Sequence, residues 1–305
     1  MTTEPIASEH RRAARPEERS ERGGEMMTQP MVLKARVAAP LKQVHHALTD
    51  ADSLRIWLAE HAEVELPNRF EFWGRYTPEG EAPRQRLLHC DDRTLRLAWL
   101  LDGEETTAEF RLEPESDDST IITVSQTHFD FQDVITGKSI RGVLQTFWSL
   151  AVSNLVDHLE GRALTPMVDY TTTDLRATVD IAADRETVYR SLIDTEAVTS
   201  WFGVLIEIEP QVGGRFAMGG LANNPNPATI LELDPGRRVS VDWNGAFVGT
   251  WELEGSEGQT RLTFIQSGFD ETRPPYAAWG GILAGVASLR RYHELPDWRA
   301  IWLAA

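Results

Sequence analysis

The residue types able to hold a metal or drive acid–base and nucleophilic chemistry are present in this chain, but their spacing is wrong for it. His89-Cys90-Asp91-Asp92 contains metal-ligand types in a stretch that reads as a strand. Adjacent strand residues point to opposite faces, so His89 and Cys90 cannot chelate one ion. His45 and His46 are neighbours on a predicted helix and diverge by about 100°. Gly137-Lys138-Ser139 looks like the end of a phosphate-binding loop, yet the position that should carry its first glycine is Gln132. Neither a nucleophile elbow nor a zinc-protease helix motif occurs. Cys90 is the only cysteine, which excludes an intramolecular disulfide and a thiolate cluster. No metal and no cofactor are therefore expected, and no catalytic residue is assigned.

The positive signal is aromatic. Ten tryptophans are many for 305 residues, and a concave apolar surface with a few polar groups is the usual form of a small-ligand site. The candidate lining is Trp201, Phe216, Met218, Trp243, Trp251, Gln266, Trp279 and Leu283, with Trp99, Gln126, His128 and Trp148 as an earlier set. Gln126 and His128 share a strand face, and His128 is the one candidate proton carrier near neutral pH. Gly280, Gly281 and Gly285 lie in a predicted helix, where each costs roughly 1 kcal/mol. They are expected either to admit a ligand or to let the helix press on a sheet.

The elements that must position these residues come in two copies. Arg36–Glu65 aligns without gaps on Asp180–Glu209 with eight identities in thirty positions, among them Asp50/Asp194 and Trp57/Trp201. Further pairs are Arg69-Phe70 with Arg215-Phe216, Trp99 with Trp243, Gln126 with Gln266, and Phe129-Asp130 with Phe269-Asp270. An internal repeat of this length means two domains of one type. Each copy opens with an alternating strand, Leu33–Val37 or Leu175–Ile181. A helix follows, with Pro40 suited to the first helical position and Asp184 to the N-cap. A second short helix carries Leu54 and Trp57, or Val198 and Trp201. Several strands with turn signals come next. A long helix closes each copy. Its apolar stripe is Leu144, Trp148, Ala151, Leu155 and Leu159 before Gly161, or Trp279, Ile282, Val286 and Leu289 before Pro296.

The expected architecture is α+β, two tandem domains in which a curved antiparallel sheet grips a long C-terminal helix. The boundaries are a disordered tail over 1–30, a first domain over 31–164, a linker over 165–174 and a second domain over 175–305. The tail mixes arginine with six glutamates and lacks an apolar segment, so it reads as solvated or as a start upstream of Met26 or Met27. Formal charge is -17, with 30 basic against 47 acidic residues. That balance argues against nucleic acid and anionic membrane as partners. No apolar run approaches the ~18 residues of a membrane span, and a cytoplasmic protein is expected. Trp298, Ile301 and Trp302 near the C-terminus need a covering surface, either the neighbouring domain or a second copy in a homodimer. The chain is expected to be a monomer or a homodimer.

With these elements in order, the chain resembles the START-like helix-grip superfamily, the polyketide cyclase and Bet v 1-like group. Its nearest likeness is to the activator of heat-shock protein 90 ATPase homologues. The resemblance rests on Ala39-Pro40, Val44, Leu48, Asp50 and Trp57, and on Ala183-Asp184, Val188, Leu192, Asp194 and Trp201-Phe202. Gly213-Gly214-Arg215-Phe216, Val239–Trp243 and Thr263–Phe269 add to it. The first copy departs from the pattern with Pro67-Asn68 in place of the two glycines. The superfamily hosts many functions, so the resemblance implies a binding cleft and leaves three readings. One is binding or sequestration of a hydrophobic or aromatic small molecule, chiefly in the second copy. The others are a cyclase, hydrolase or self-resistance protein acting on a natural product, and a chaperone-associated or stress-response partner-binding module.

Overall fold

The computed structural model describes residues 30–127 and 140–304. The N-terminal tail, His128, Phe129-Asp130 and Gly137-Lys138-Ser139 lie outside the described residues. The first half runs β1 (Met31–Val37), α1 (Leu41–Thr49), α2 (Ala51–Trp57), β2 (His61–Glu65), β3 (Arg69–Trp73), β4 (Gln85–Cys90), β5 (Thr94–Leu101), β6 (Glu104–Ser116), β7 (Ser119–Gln126) and α3 (Leu144–Leu159). The second runs β8 (Leu175–Ile181), α4 (Arg185–Ile193), α5 (Thr195–Phe202), β9 (Ile206–Ile208), β10 (Arg215–Met218), β11 (Ala228–Asp234), β12 (Arg238–Asp242), β13 (Val248–Ser256), β14 (Gln259–Ser267) and α6 (Tyr276–Glu294). This is an α+β protein of two tandem helix-grip domains.

Alternation builds both sheets. In β8, Leu175, Ala177, Val179 and Ile181 are buried and the residues between them are exposed, the pattern of a strand with one face on a core. The first sheet has the order β1-β7-β6-β5-β4, and the second β8-β14-β13-β12-β11-β10-β9. Every neighbouring pair is antiparallel. The copies differ where the two glycines are missing. In the second domain β10 joins the main sheet through Arg215 opposite Thr229. In the first, β2 and β3 form a separate hairpin, and the Phe72 amide donates instead to the Gln85 side chain at 3.1 Å.

The repeat identities have structural reasons. Asp50 and Asp194 cap α2 and α5, accepting from the amides of Ser53 and Ala197 at 2.8 Å each. The indoles of Trp57 and Trp201 are buried and donate to the carbonyls of Ala47 and Ser191. Pro40 stands one position earlier than expected, at the N-cap of α1. Asp184 is at the N-cap of α4, but its carboxylate makes no capping bond and accepts from Gly258.

The closing helices α3 and α6 lie side by side between the two sheets. Gly280 and Gly281 face Thr146: a Cβ on Gly280 would stand 3.1 Å from its hydroxyl. Further along, Arg291 binds Asp157 at 2.7 Å. The helices therefore run in the same direction. These two glycines serve the contact between domains rather than a ligand or the sheet. Residues 165–174 are tied down too. The Asn154 side chain bonds both backbone groups of Thr165 at 3.0 Å, and the Tyr170 amide donates to the Arg75 carbonyl. The C-terminal segment returns to the first domain. Arg36 donates to the Ile301 carbonyl and Leu303 to the Lys34 carbonyl, both at 2.8 Å, and Ile301 enters the first core.

Candidate functional site

Between the second sheet, α5 and α6 lies an apolar pocket with about 360 Å³ of non-atom space, part of it continuous with solvent. It has room for about one or two waters. The sheet contributes Phe216, Met218 and Trp251, and the turn between β12 and β13 contributes Trp243; α5 and its surroundings contribute Leu192, Val198, Trp201, Phe202 and Ile206; α6 contributes Ile282. Among the described residues, no lining side chain is titratable. Phe216 and Trp243 meet edge to face at 5.7 Å, and Trp243 stacks with Phe247 at 5.8 Å. Trp201 is fixed by its bond to Ser191 and holds the Phe202 ring at 5.5 Å. Gly285 makes that approach possible, since a Cβ there would come within 2.8 Å of Phe202. Met218 is 40% exposed and stands at the mouth.

Five of the residues expected from sequence, Trp201, Phe216, Met218, Trp243 and Trp251, thus converge on one pocket. Trp279 and Leu283 do not line it. They are on the face of α6 pressed against the core, where Trp279 stacks on Phe264 at 5.5 Å. Gln266 does not line it either; it is 3% exposed, and among the described residues neither its side-chain nitrogen nor its side-chain oxygen has a protein partner. Sequence reasoning missed Leu192, Val198, Phe202, Ile206 and Ile282. An apolar residue in a helix gives the same signal whether it faces a core or a pocket.

In the first domain the space around Trp99, Gln126 and Trp148 is filled, which corrects the expectation that these three line a cleft. Trp99, Phe110, Phe147 and Trp148 form a continuous aromatic cluster with centroids 4.8–5.8 Å apart. Trp99 and Trp148 are fully buried. Gln126 donates to the Thr106 hydroxyl at 2.9 Å and accepts from the Trp148 indole at 3.1 Å. Two further pockets flank the domain junction. One is lined by Trp57, Phe147, Met167 and Tyr170 among others, and a wider polar one by Asn154, Thr165 and Met167 among others.

Counterpart positions follow from matching hydrogen bonds. Glu160 accepts from the Ala38 amide as Glu294 does from Ala182, so these residues mark one level of the closing helices. Twelve residues before them stand Trp148 and Ile282. Thr120 donates to Ala39 as Thr260 does to Ala183, and six residues on stand Gln126 and Gln266. Ala108 pairs with Gln126 and Gly249 with Gln266, which makes Phe247 the counterpart of Thr106. The pocket thus opens where a tryptophan of the first copy becomes isoleucine. The same change, with Thr106 becoming Phe247, removes both side-chain partners of the glutamine.

Tandem sheets gripping long helices, one grip filled and one holding an apolar pocket, define a two-domain helix-grip protein. Residues 182–292, within the second domain, match the family described as Activator of Hsp90 ATPase homolog 1-like protein. No curated protein matches the chain. Among solved structures, a conserved protein of unknown function from Enterococcus faecalis is 23% identical, covering 42% of this chain and 75% of its own, with a TM-score of 0.37. DynU16, a protein in the dynemicin biosynthetic locus, is 17% identical over 87% of this chain and 97% of its own, with a TM-score of 0.35. The di-domain ARO/CYC protein BexL from the BE-7585A biosynthetic pathway is 14% identical over 88% and 100%, with a TM-score of 0.36. At those scores the likeness decides nothing about function. Among the described residues, no helix is long and apolar enough to cross a membrane.

Proposed function

We propose that the protein binds a hydrophobic small molecule in the cleft of its second domain (175–305), with the first domain (31–164) serving as a filled scaffold joined through 165–174. The observation that carries this reading is the replacement of the buried Trp148 by Ile282 at the same level of the closing helix. It turns an aromatic core into an apolar pocket. A ligand of drug size needs about 300 Å³ or more. It would enter by displacing Met218 and Phe202, whose side chains line the pocket and are not fully buried. Because no lining group is titratable, the pocket is suited to holding a molecule rather than to proton transfer.

The test is to refill the pocket. Ile282→Trp restores the side chain of the first copy, and Trp243→Ala removes a wall. With N-phenyl-1-naphthylamine as a neutral fluorescent probe, the intact chain is expected to bind. Both variants should bind about tenfold more weakly or worse, with Ile282→Trp keeping the folded far-ultraviolet dichroism spectrum. Equal probe affinity in the intact chain and in folded Ile282→Trp would remove the second-domain cleft from consideration.

A further inference from the structure

We infer that Gln266 is a ligand-reading residue. The preferred ligand is a neutral, flat ring system carrying a hydrogen-bond donor beside an acceptor on one edge, as in a lactam. This rests on the cleft reading above and deepens it. In the first domain the Gln126 amide has a side-chain partner at each end, and its nitrogen also reaches the Thr127 carbonyl at 3.3 Å. The Trp148 indole N–H donates to its Oε1, and the Thr106 hydroxyl accepts from its Nε2. In the second domain these partners are replaced by Ile282 and Phe247, which can do neither, while the glutamine itself is retained and is 3% exposed. A buried carboxamide without partners is costly, and a Leu of similar size would avoid that cost. Retaining the amide after losing both side-chain partners fits a group satisfied by something that enters the cleft.

The surroundings restrict what that is. Gly249, directly across the ladder from Gln266, offers no side chain, and a Cβ there would lie 3.4 Å from the Trp243 indole nitrogen. The ring of a pocket-lining residue therefore lies across the strand beside Gln266. The place that the Trp148 indole fills in the first domain is bounded in the second by Trp243, Trp251 and Ile282. A flat ring occupying it would do for Gln266 what Trp148 does for Gln126. An adjacent N–H and C=O would satisfy both ends of the amide at once. A charge is excluded because the lining has no counter-ion and desolvating an unpaired charge is prohibitive. The Trp251 indole N–H also lacks a partner, but so does that of Trp99 in the filled domain, so Gln266 alone carries the inference. The competing occupant is a buried water.

Three probes of one shape separate these cases in the full-length protein, with affinities read by calorimetry or by quenching of tryptophan fluorescence. Oxindole has the lactam edge, N-methyloxindole lacks the donor, and indane lacks both groups. The expected result is a preference for oxindole over N-methyloxindole of about tenfold, abolished in Gln266→Leu. Equal affinity for all three in the intact chain would overturn the role of Gln266 and leave the apolar cleft standing. A preference surviving in Gln266→Leu would also overturn it. Failure of these probes and of the naphthylamine to bind would overturn both readings. Thermal unfolding gives a second measurement: without ligand, Gln266→Leu should melt no lower than the intact chain, whereas Gln126→Leu should melt several degrees lower. An equal fall in both would mean that Gln266 is already satisfied, and the inference would fail.

Discussion

Two aspartates in the same sequence context act differently at the residue scale. Asp194 closes the first turn of α5 by accepting from Ala197, whereas Asp184 at the head of α4 reaches across to Gly258. Asp194→Ala should therefore lower stability by about 1 kcal/mol. Asp184→Ala should cost less, because its helix loses no capping bond. Urea unfolding of the two variants side by side checks the difference. Among the described residues, His293 ties stability to pH near neutrality. Burial pushes its imidazole below its usual value of 6.5, against the raising effect of Glu294. The folded state thus prefers the neutral ring. The stability this provides is present above the unfolded value and is lost as pH falls through the lower folded one. The urea midpoint should drop between pH 7.5 and 5, and His293→Gln should flatten that drop.

At the scale of elements, the glycines of α6 divide by the surface they meet. Gly280 and Gly281 face Thr146 on α3, and Gly285 faces the Phe202 ring. Alanine in a helix gains up to about 1 kcal/mol over glycine, so the outcome depends on whether the neighbour can give. At Gly281 the only close atom is a Thr146 methyl at 3.3 Å, and Gly281→Ala should be close to neutral. At Gly285 the neighbours are Phe202 at 2.8 Å and Trp201 at 3.2 Å, the latter anchored to Ser191. Gly285→Ala should destabilise by about 1–3 kcal/mol and weaken naphthylamine binding by shifting Phe202. Melting temperature and probe titration on the same samples test both effects. The helices, the alternating strands and the paired tryptophans were legible in the sequence because periodicity and repetition report them directly. The use of three glycines in one helix was not, since it depends on what lies opposite each.

The whole molecule is held by a buried ionic cluster at the end of the paired helices. Asp157, whose side chain is 1% exposed, contacts Arg291 at 2.7 Å and Arg162 at 3.3 Å. Arg291 also binds Glu160, and Arg162 binds Glu294. Burial pushes the Asp157 carboxyl up while Arg291 and Arg162 pull it down. Asp157→Asn leaves each arginine with one carboxylate instead of two, so it should destabilise by about 1–3 kcal/mol. Replacing Asp157 and Arg291 together by Leu and Met should recover much of that loss. A single cooperative urea transition in the intact chain, split in Asp157→Asn, would show that the cluster couples the domains.

The amino-acid sequence by itself determined the doubled α+β architecture and the aromatic side chains that gather under the second closing helix. Local period, capping residues and the Asp50/Asp194 and Trp57/Trp201 identities are written along the chain. Only the tertiary structure decided which grip is filled. The connections between corresponding elements differ in length in the two copies, so ungapped comparison never sets Ile282 against Trp148 or Phe247 against Thr106. Those pairs appear once shared hydrogen bonds fix the level of each helix and strand. The ionic cluster and the C-terminal segment on β1 were hidden for a related reason. Each joins residues more than a hundred positions apart, and their proximity is a property of the packed domains that no window of sequence contains.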